Sequence, residues 1–423
     1  MAKILKIIFA FIVSWMFFFP TSFTFLPQSI NSKLLLAVVG LLCIVYGIFL
    51  GRIKNRIHIS FLVILIIAGL FSLISYVSTT INNTHDYVYT TYIASMLVWL
   101  SAGYVSFKAI RYAHSNCSVE LISNYIIALC VVQCIMSLLI DIIPELNHLI
   151  RNYIVLAEQT SHEHRLIGVG VSFDPAGIRF SAALIICAAM LVDNLLNTKS
   201  VILYIISFFI ILIIGNMLSR TTTIGEILAF LLIIYKSEIW KGTCAKGFDN
   251  MFKISVITLV IIIPVILFLY RSSVSFRELM DFGFEGVINY IRTGKWETNS
   301  TNILQGMWSV WPDSLKTWLI GDGYFTNPDN PRLYYRGTDV GYVRIIFYCG
   351  IIGLGIFGYL FLYLSKVFST LWPDYSLLFT FLLILQLAVW LKVSTDIFLV
   401  FALYYPLVSQ NGSLKTNNNL DAV

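Results

Sequence analysis

The sequence predicts an all-α, polytopic integral membrane protein with about twelve transmembrane helices. Three observations predict it. Of the 423 residues, 58% are hydrophobic and 12% charged, about half the charged share of a soluble domain, and the mean hydropathy is +0.83. Twelve apolar runs approach the ~17–25 residues that a helix needs to cross the hydrocarbon layer. The basic residues also segregate between alternate connections, as they do in membrane proteins.

The runs are 4–26, 34–50, 59–78, 90–107, 120–140, 175–192, 200–216, 222–235, 254–270, 341–364, 375–391 and 396–410. The first follows Lys3 and Lys6 and imitates a secretory signal, but no small-x-small cleavage site comes after it and eleven apolar runs do. It therefore reads as an uncleaved span. The seventh, eighth and last runs are short. Segments 51–58, 108–119, 193–199, 236–253, 365–374 and the two termini fall on one side and hold 14 positive charges. That side is cytoplasmic, and both termini lie there.

Residues 1–410 form a single transmembrane domain in this reading, and 411–423 a polar cytoplasmic tail. Two external segments are large, 141–174 and 271–340. The second is too long for a simple connection. Within it, Ser275–Arg292 alternates Phe276, Leu279, Met280, Val287 and Ile291 with charged positions, and Ile303–Trp311 and Leu315–Ile320 carry Trp308, Trp311 and Trp318. Helices lying at the lipid interface have this pattern. A small external subdomain with its own core is the alternative.

The seven cysteines sit mostly in apolar runs, which argues against a disulfide framework or a zinc site. A net charge of +6 is accounted for by the cytoplasmic loops. No basic run interleaved with aromatics points to nucleic acid.

Charge type is more informative than net charge. Eleven of the fifteen lysines fall on the cytoplasmic side, but ten of the thirteen arginines fall outside. Guanidinium groups grip carboxylate or phosphate in two-pronged fashion. The outer face therefore reads as a binding surface for an anionic, phosphorylated substrate.

The strongest local pattern runs from Gly321 to Gly353. Gly321-Asp322-Gly323 permits a tight turn, Thr338 and Asp339 are placed to cap the re-entering helix, and Arg344 lies within its first two turns. The combination of Gly321–Gly323, Thr338-Asp339-x-Gly341-Tyr342 and Gly350-x-x-Gly353 resembles the C-terminal region of the O-antigen polymerase and ligase superfamily. Ser219-Arg220-Thr221 resembles that family's short Ser-Arg turn before a span, and about twelve spans with one large late external loop match its architecture.

The resemblance implies a GT-C-like helical fold and metal-independent glycosyl transfer without a cofactor, at the outer face of the bacterial inner membrane. The substrate would be an undecaprenyl-diphosphate-linked oligosaccharide, and the partners would be membrane lipids and a candidate chain-length regulator. In the ligase branch a histidine stands where Asp339 stands here, which favours the polymerase branch. The product would be O-antigen or capsular polysaccharide. The alternatives are a ligase transferring glycan to lipid A core and a flippase for the same lipid-linked unit.

The chemistry assigns the candidates. Charge grows on the departing diphosphate, where fixed guanidinium groups stabilise it, and one carboxylate suffices as base for the acceptor hydroxyl. Arg179 and Arg220 are diphosphate ligands or interfacial anchors. Arg344 adds a third guanidinium, and Arg332 and Arg336 would close over the substrate. Asp339 is the first choice of base. Glu226, inside a span, is the second, or else half of a structural ion pair. Arg165, His162 and His164 are candidates for substrate contact or a solvated loop. Their spacing is wrong for two histidines on one helix face, so no metal site is assigned.

Overall fold

A computed structural model describes residues 2–27, 29–50, 58–158, 164–238, 241 and 246–408. Among them the chain is all-helical. Only isolated bridges, Ser22–Asn31, Phe23–Ile154 and Thr326–Tyr334, have β character. All twelve apolar runs coincide with helices. Eight of these are long and apolar enough to cross a bilayer: α2 (Ser32–Phe49), α3 (Ile59–Ile81), α4 (Tyr92–Ala113), α5 (Val119–Ile142), α7 (Phe173–Asp193), α8 (Thr198–Leu218), α10 (Phe248–Ser272) and α15 (Gly341–Leu371). The chain is a multi-pass membrane protein on this count. The helices α1 (Ala2–Phe18), α9 (Thr222–Lys236), α16 (Ser376–Val389) and α17 (Phe398–Tyr404) are shorter. The tail 411–423 lies outside the described residues.

Contacts divide the chain into two compact units, Met1–Leu35 with Lys108–Glu297, and Leu36–Phe107 with Thr298–Val423.

The first unit is built around α7. Every residue from Ala176 to Val192 is buried, because α5, α8 and α9 surround it. Small side chains allow this. A methyl on Gly225 of α9 would lie 2.2 Å from the Ser181 Cα of α7, so the two backbones touch, as small residues permit where helices meet in a membrane. By contrast α10 buries only Met251 and is apolar all round, as suits a helix facing lipid. Between α5 and α7, α6 (Pro144–Tyr153) lies over a core of Ile140, Leu156, Ile167 and Val169. The predicted helix Ser275–Arg292 is two helices, α11 (Val274–Gly283) and α12 (Glu285–Thr293). Gly283 lies against the Asn216 backbone, where a methyl would come within 3.1 Å, and the chain turns at Phe284.

The second unit is built around α15. This helix is broken at Cys349 and Gly350, with Gly350 at φ +68, ψ −176. The break frees the carbonyls of Phe347 and Tyr348, which an apolar setting requires to be paired elsewhere. The Gly321–Gly323 turn supplies the partners. Asp322 N–H donates to Phe347 O (2.6 Å) and Gly323 N–H to Tyr348 O (3.1 Å), and Ser78 Oγ adds a bond to Tyr348 O (2.6 Å). Two glycine patterns far apart in sequence are thus the two halves of one joint. The helix α13 (Asn299–Trp308) packs on the N-terminal end of α15 through Val340, Val343 and Phe347, and α14 (Leu315–Leu319) leads into the turn. Thr338 and Asp339 do not cap α15: its N-cap is Val340, without a side-chain bond. Thr338 Oγ1 donates instead to Met307 O.

Candidate functional site

The candidate residues fall into both units. His164, Arg165, Arg179, Arg220 and Glu226 belong to the first, and Arg332, Arg336, Asp339 and Arg344 to the second. His162 lies outside the described residues.

In the first unit, three segments remote in sequence meet. They are the strand of chain before α7, the Ser219–Thr221 turn that joins α8 to α9, and the junction of α11 and α12. Phe282 is the meeting point. The Arg220 guanidinium lies 4.4 Å from its ring centroid and that of Arg165 lies 5.9 Å away, within the range of cation–π attraction. Arg165 also stacks on Phe173 at 3.8 Å. Phe173 has φ +61, a strained conformation for an aromatic residue. Arg220 is ion-paired with Glu285. Beside it, Asp174 at the start of α7 accepts from the hydroxyls of Thr221 and Ser219. These contacts fix the turn carrying Arg220 onto the N-terminus of α7.

Glu226 sits one turn into α9 and accepts from the Asn216 amide, whose oxygen takes the Thr223 hydroxyl at 2.9 Å. It forms no ion pair with arginine among the described residues. His164 stands between two carboxylates, Asp141 and Glu278, each at 3.3 Å. Arg179 points inward and is 7% exposed. Its Nε–H donates to Phe18 O at the end of α1 (2.7 Å) and its NH1 to Pro175 O (2.5 Å). These backbone bonds commit it to holding α1 against α7.

In the second unit, Arg344 is 6% exposed. It pairs with Asp339 at 2.6 Å, donates to Phe325 O at 3.1 Å, and lies between the rings of Phe325 (3.7 Å) and Tyr334 (4.5 Å). The pair ties α15 to the chain that follows the glycine turn. Asp322 accepts from Thr317 Oγ1 (2.7 Å) and the Tyr335 hydroxyl (3.1 Å). Burial, with the Asp322 carboxylate next, raises the Tyr335 hydroxyl above the ordinary tyrosine range. Arg332 and Arg336 are exposed, and Arg336 adopts φ +55.

Several residues at these places went unread in the sequence: Asp174, Phe282 and Glu285 in the first unit, Asp86, Phe325 and Tyr334 in the second. The flanking glycine in Phe282-Gly283-Phe284 was a usable signal for a turn. For Glu285 and Phe325 there was none, because their partners lie far along the chain. Searches against family models, characterised proteins and solved structures return no match for this chain.

Proposed function

We propose that the chain is a glycosyltransferase that joins undecaprenyl-diphosphate-linked oligosaccharide repeats into O-antigen or capsular polysaccharide. On this reading it is an O-antigen polymerase with a GT-C-like fold. It lies in the bacterial inner membrane and crosses it twelve times, the four shorter helices completing the count. Both termini are cytoplasmic and the site faces the periplasm. The observation that carries the proposal is the meeting of Arg165 and Arg220 around Phe282. Two guanidinium groups 55 positions apart in sequence share one aromatic ring, on what this reading makes the arginine-rich outer side.

In the reaction the acceptor hydroxyl attacks the anomeric carbon of the donor sugar. The bond from that carbon to the diphosphate oxygen breaks, and its electron pair leaves with undecaprenyl diphosphate. Arg165 and Arg220 stabilise the growing charge, with Arg220 exchanging Glu285 for the diphosphate. Glu226 takes the hydroxyl proton. It is preferred over Asp339 because Asp339 is engaged in the ion pair with Arg344. Arg179, in the same unit, acts as a positioning residue.

The test is complementation of a strain lacking the gene. Arg220→Ala and Arg165→Ala should insert at wild-type level and leave single repeats on the lipid carrier. Full-length polysaccharide from both variants refutes the proposal.

A further inference from the structure

The second unit carries an open cleft of about 580 Å³ that no motif announced. Its walls are the 83–88 connection between α3 and α4, and residues 324–331 after the glycine turn. The volume is that of a small-molecule site (~300–1,000 Å³). The walls are joined. Asp86 accepts from Phe325 N–H (2.8 Å) and Thr326 N–H (3.1 Å), Thr84 Oγ1 donates to Gly323 O (2.9 Å), and the Tyr348 hydroxyl donates to Asp86 O. Asp86 is thereby committed to backbone.

The rest of the lining is rich in planar side chains. His85, Tyr87 and Tyr324 face the cleft beside Asn83 and Asn327. Tyr324 is held flat by stacking on Tyr335, with centroids 5.2 Å apart and planes 25° apart. Among the described residues neither lysine nor arginine, the usual holders of phosphate, lines the cleft. Aromatic faces accept the apolar faces of sugar rings, while phenol, imidazole and amide tips match hydroxyl groups. The wall bearing Tyr324 and Thr326 is also fixed to Arg344 through Phe325 O.

We propose that this cleft is a carbohydrate site that takes glycan rings against the aromatic faces of Tyr87 and Tyr324. The identity of the glycan rests on the polymerase reading; the chemistry of the cleft does not. The probe is the free repeat oligosaccharide, released from the producing strain's surface polysaccharide by mild acid and carrying neither lipid nor phosphate. It is titrated against the full chain in nanodiscs and followed by saturation-transfer NMR.

The wild type and Arg220→Ala should bind alike. His85→Ala, Tyr87→Ala and Tyr324→Ala should each weaken binding about tenfold. His85→Ala and Tyr87→Ala leave the wall-to-wall bonds intact, so their loss of binding does not reflect unfolding. Absence of saturable binding to the wild type below about 10 mM, or unchanged binding by all three cleft variants, overturns the subsite. If the oligosaccharide binds through the cleft but the purified protein forms no polymer from the lipid-linked repeat, the subsite stands and the polymerase reading falls.

Discussion

Gly350→Ala isolates the joint between the broken α15 and the Gly321–Gly323 turn. At φ +68, ψ −176 the backbone occupies a region essentially restricted to glycine, and holding another residue there costs ~1–3 kcal/mol. The added methyl would lie 2.1 Å from Leu319 O. That atom is backbone, so no rotamer relieves the clash and the turn must move. Moving it breaks the bonds from Asp322 N–H and Gly323 N–H to Phe347 O and Tyr348 O, each worth ~0.5–1.5 kcal/mol. The total is about 2–6 kcal/mol, a large part of a typical folding free energy of ~5–15 kcal/mol. The assay is unfolding of purified protein in detergent, followed by tryptophan fluorescence, since Trp311 and Trp318 stack just before the turn (5.6 Å). Gly355→Ala is the control: nothing lies within 4 Å of its added methyl, and a helical glycine-to-alanine change is neutral or stabilising. If Gly350→Ala unfolds with the same midpoint as Gly355→Ala, the joint does not hold the break in α15 and the argument fails.

Three further outcomes follow from the same geometry. Arg179→Ala should destabilise the first unit by ~3–6 kcal/mol, as two hydrogen bonds from a charged donor to backbone carbonyls disappear; Arg179→Lys should recover little, because a single ammonium lacks the fork that reaches both Phe18 O and Pro175 O. Urea or detergent titration of both variants checks this. Asp339→Asn leaves the Arg344 guanidinium buried without its counter-charge and should cost ~2–4 kcal/mol, toward the low side of the range for buried pairs because Asp339 is 18% exposed; adding Arg344→Met should restore part of the loss in a double-mutant cycle. Gly225→Ala should force α9 from α7 and cost ~1–3 kcal/mol, read as a lower thermal midpoint with Arg165 and Arg220 unaltered.

Much of the fold was legible because transmembrane helices are specified by length and apolarity alone. Each of the twelve runs holds a helix and eight of these are long enough to cross a bilayer, but the first run's helix stops at Phe18 and the last is only Phe398–Tyr404. The complete burial of α7 was not legible, since its composition matches that of a lipid-facing helix. The near-complete exposure of α10 was hidden for the same reason. What distinguishes them is the close fit of Gly225 against Ser181, a contact across 44 positions. The Gly321–Gly323 and Gly350 patterns were visible, but not that one supplies hydrogen bonds to the other. The turn at Phe284 was missed because the hydrophobic period runs through it. Among the candidates, arginine content grouped Arg179, Arg220 and Arg344, whereas Arg344 pairs with Asp339 and the ring of Phe282 shared by Arg165 and Arg220 was not legible. Arg179 looked the same in sequence; only the carbonyls of Phe18 and Pro175 reveal its different employment. The cleft escaped notice because His85, Tyr87 and Tyr324 come from two stretches without any spacing rule.

The central claim is that Arg165 and Arg220 stabilise a leaving diphosphate. The most direct measurement is turnover of purified lipid-linked repeat by the wild type, Arg220→Ala and Arg220→Lys in nanodiscs. Removing one fixed donor to a developing charge costs ~10²–10³ in kcat. The account predicts that loss for Arg220→Ala, with partial recovery in Arg220→Lys and no change in unfolding free energy beyond ~1 kcal/mol, the value of a partly exposed ion pair. Wild-type kcat from stably folded Arg220→Ala contradicts it.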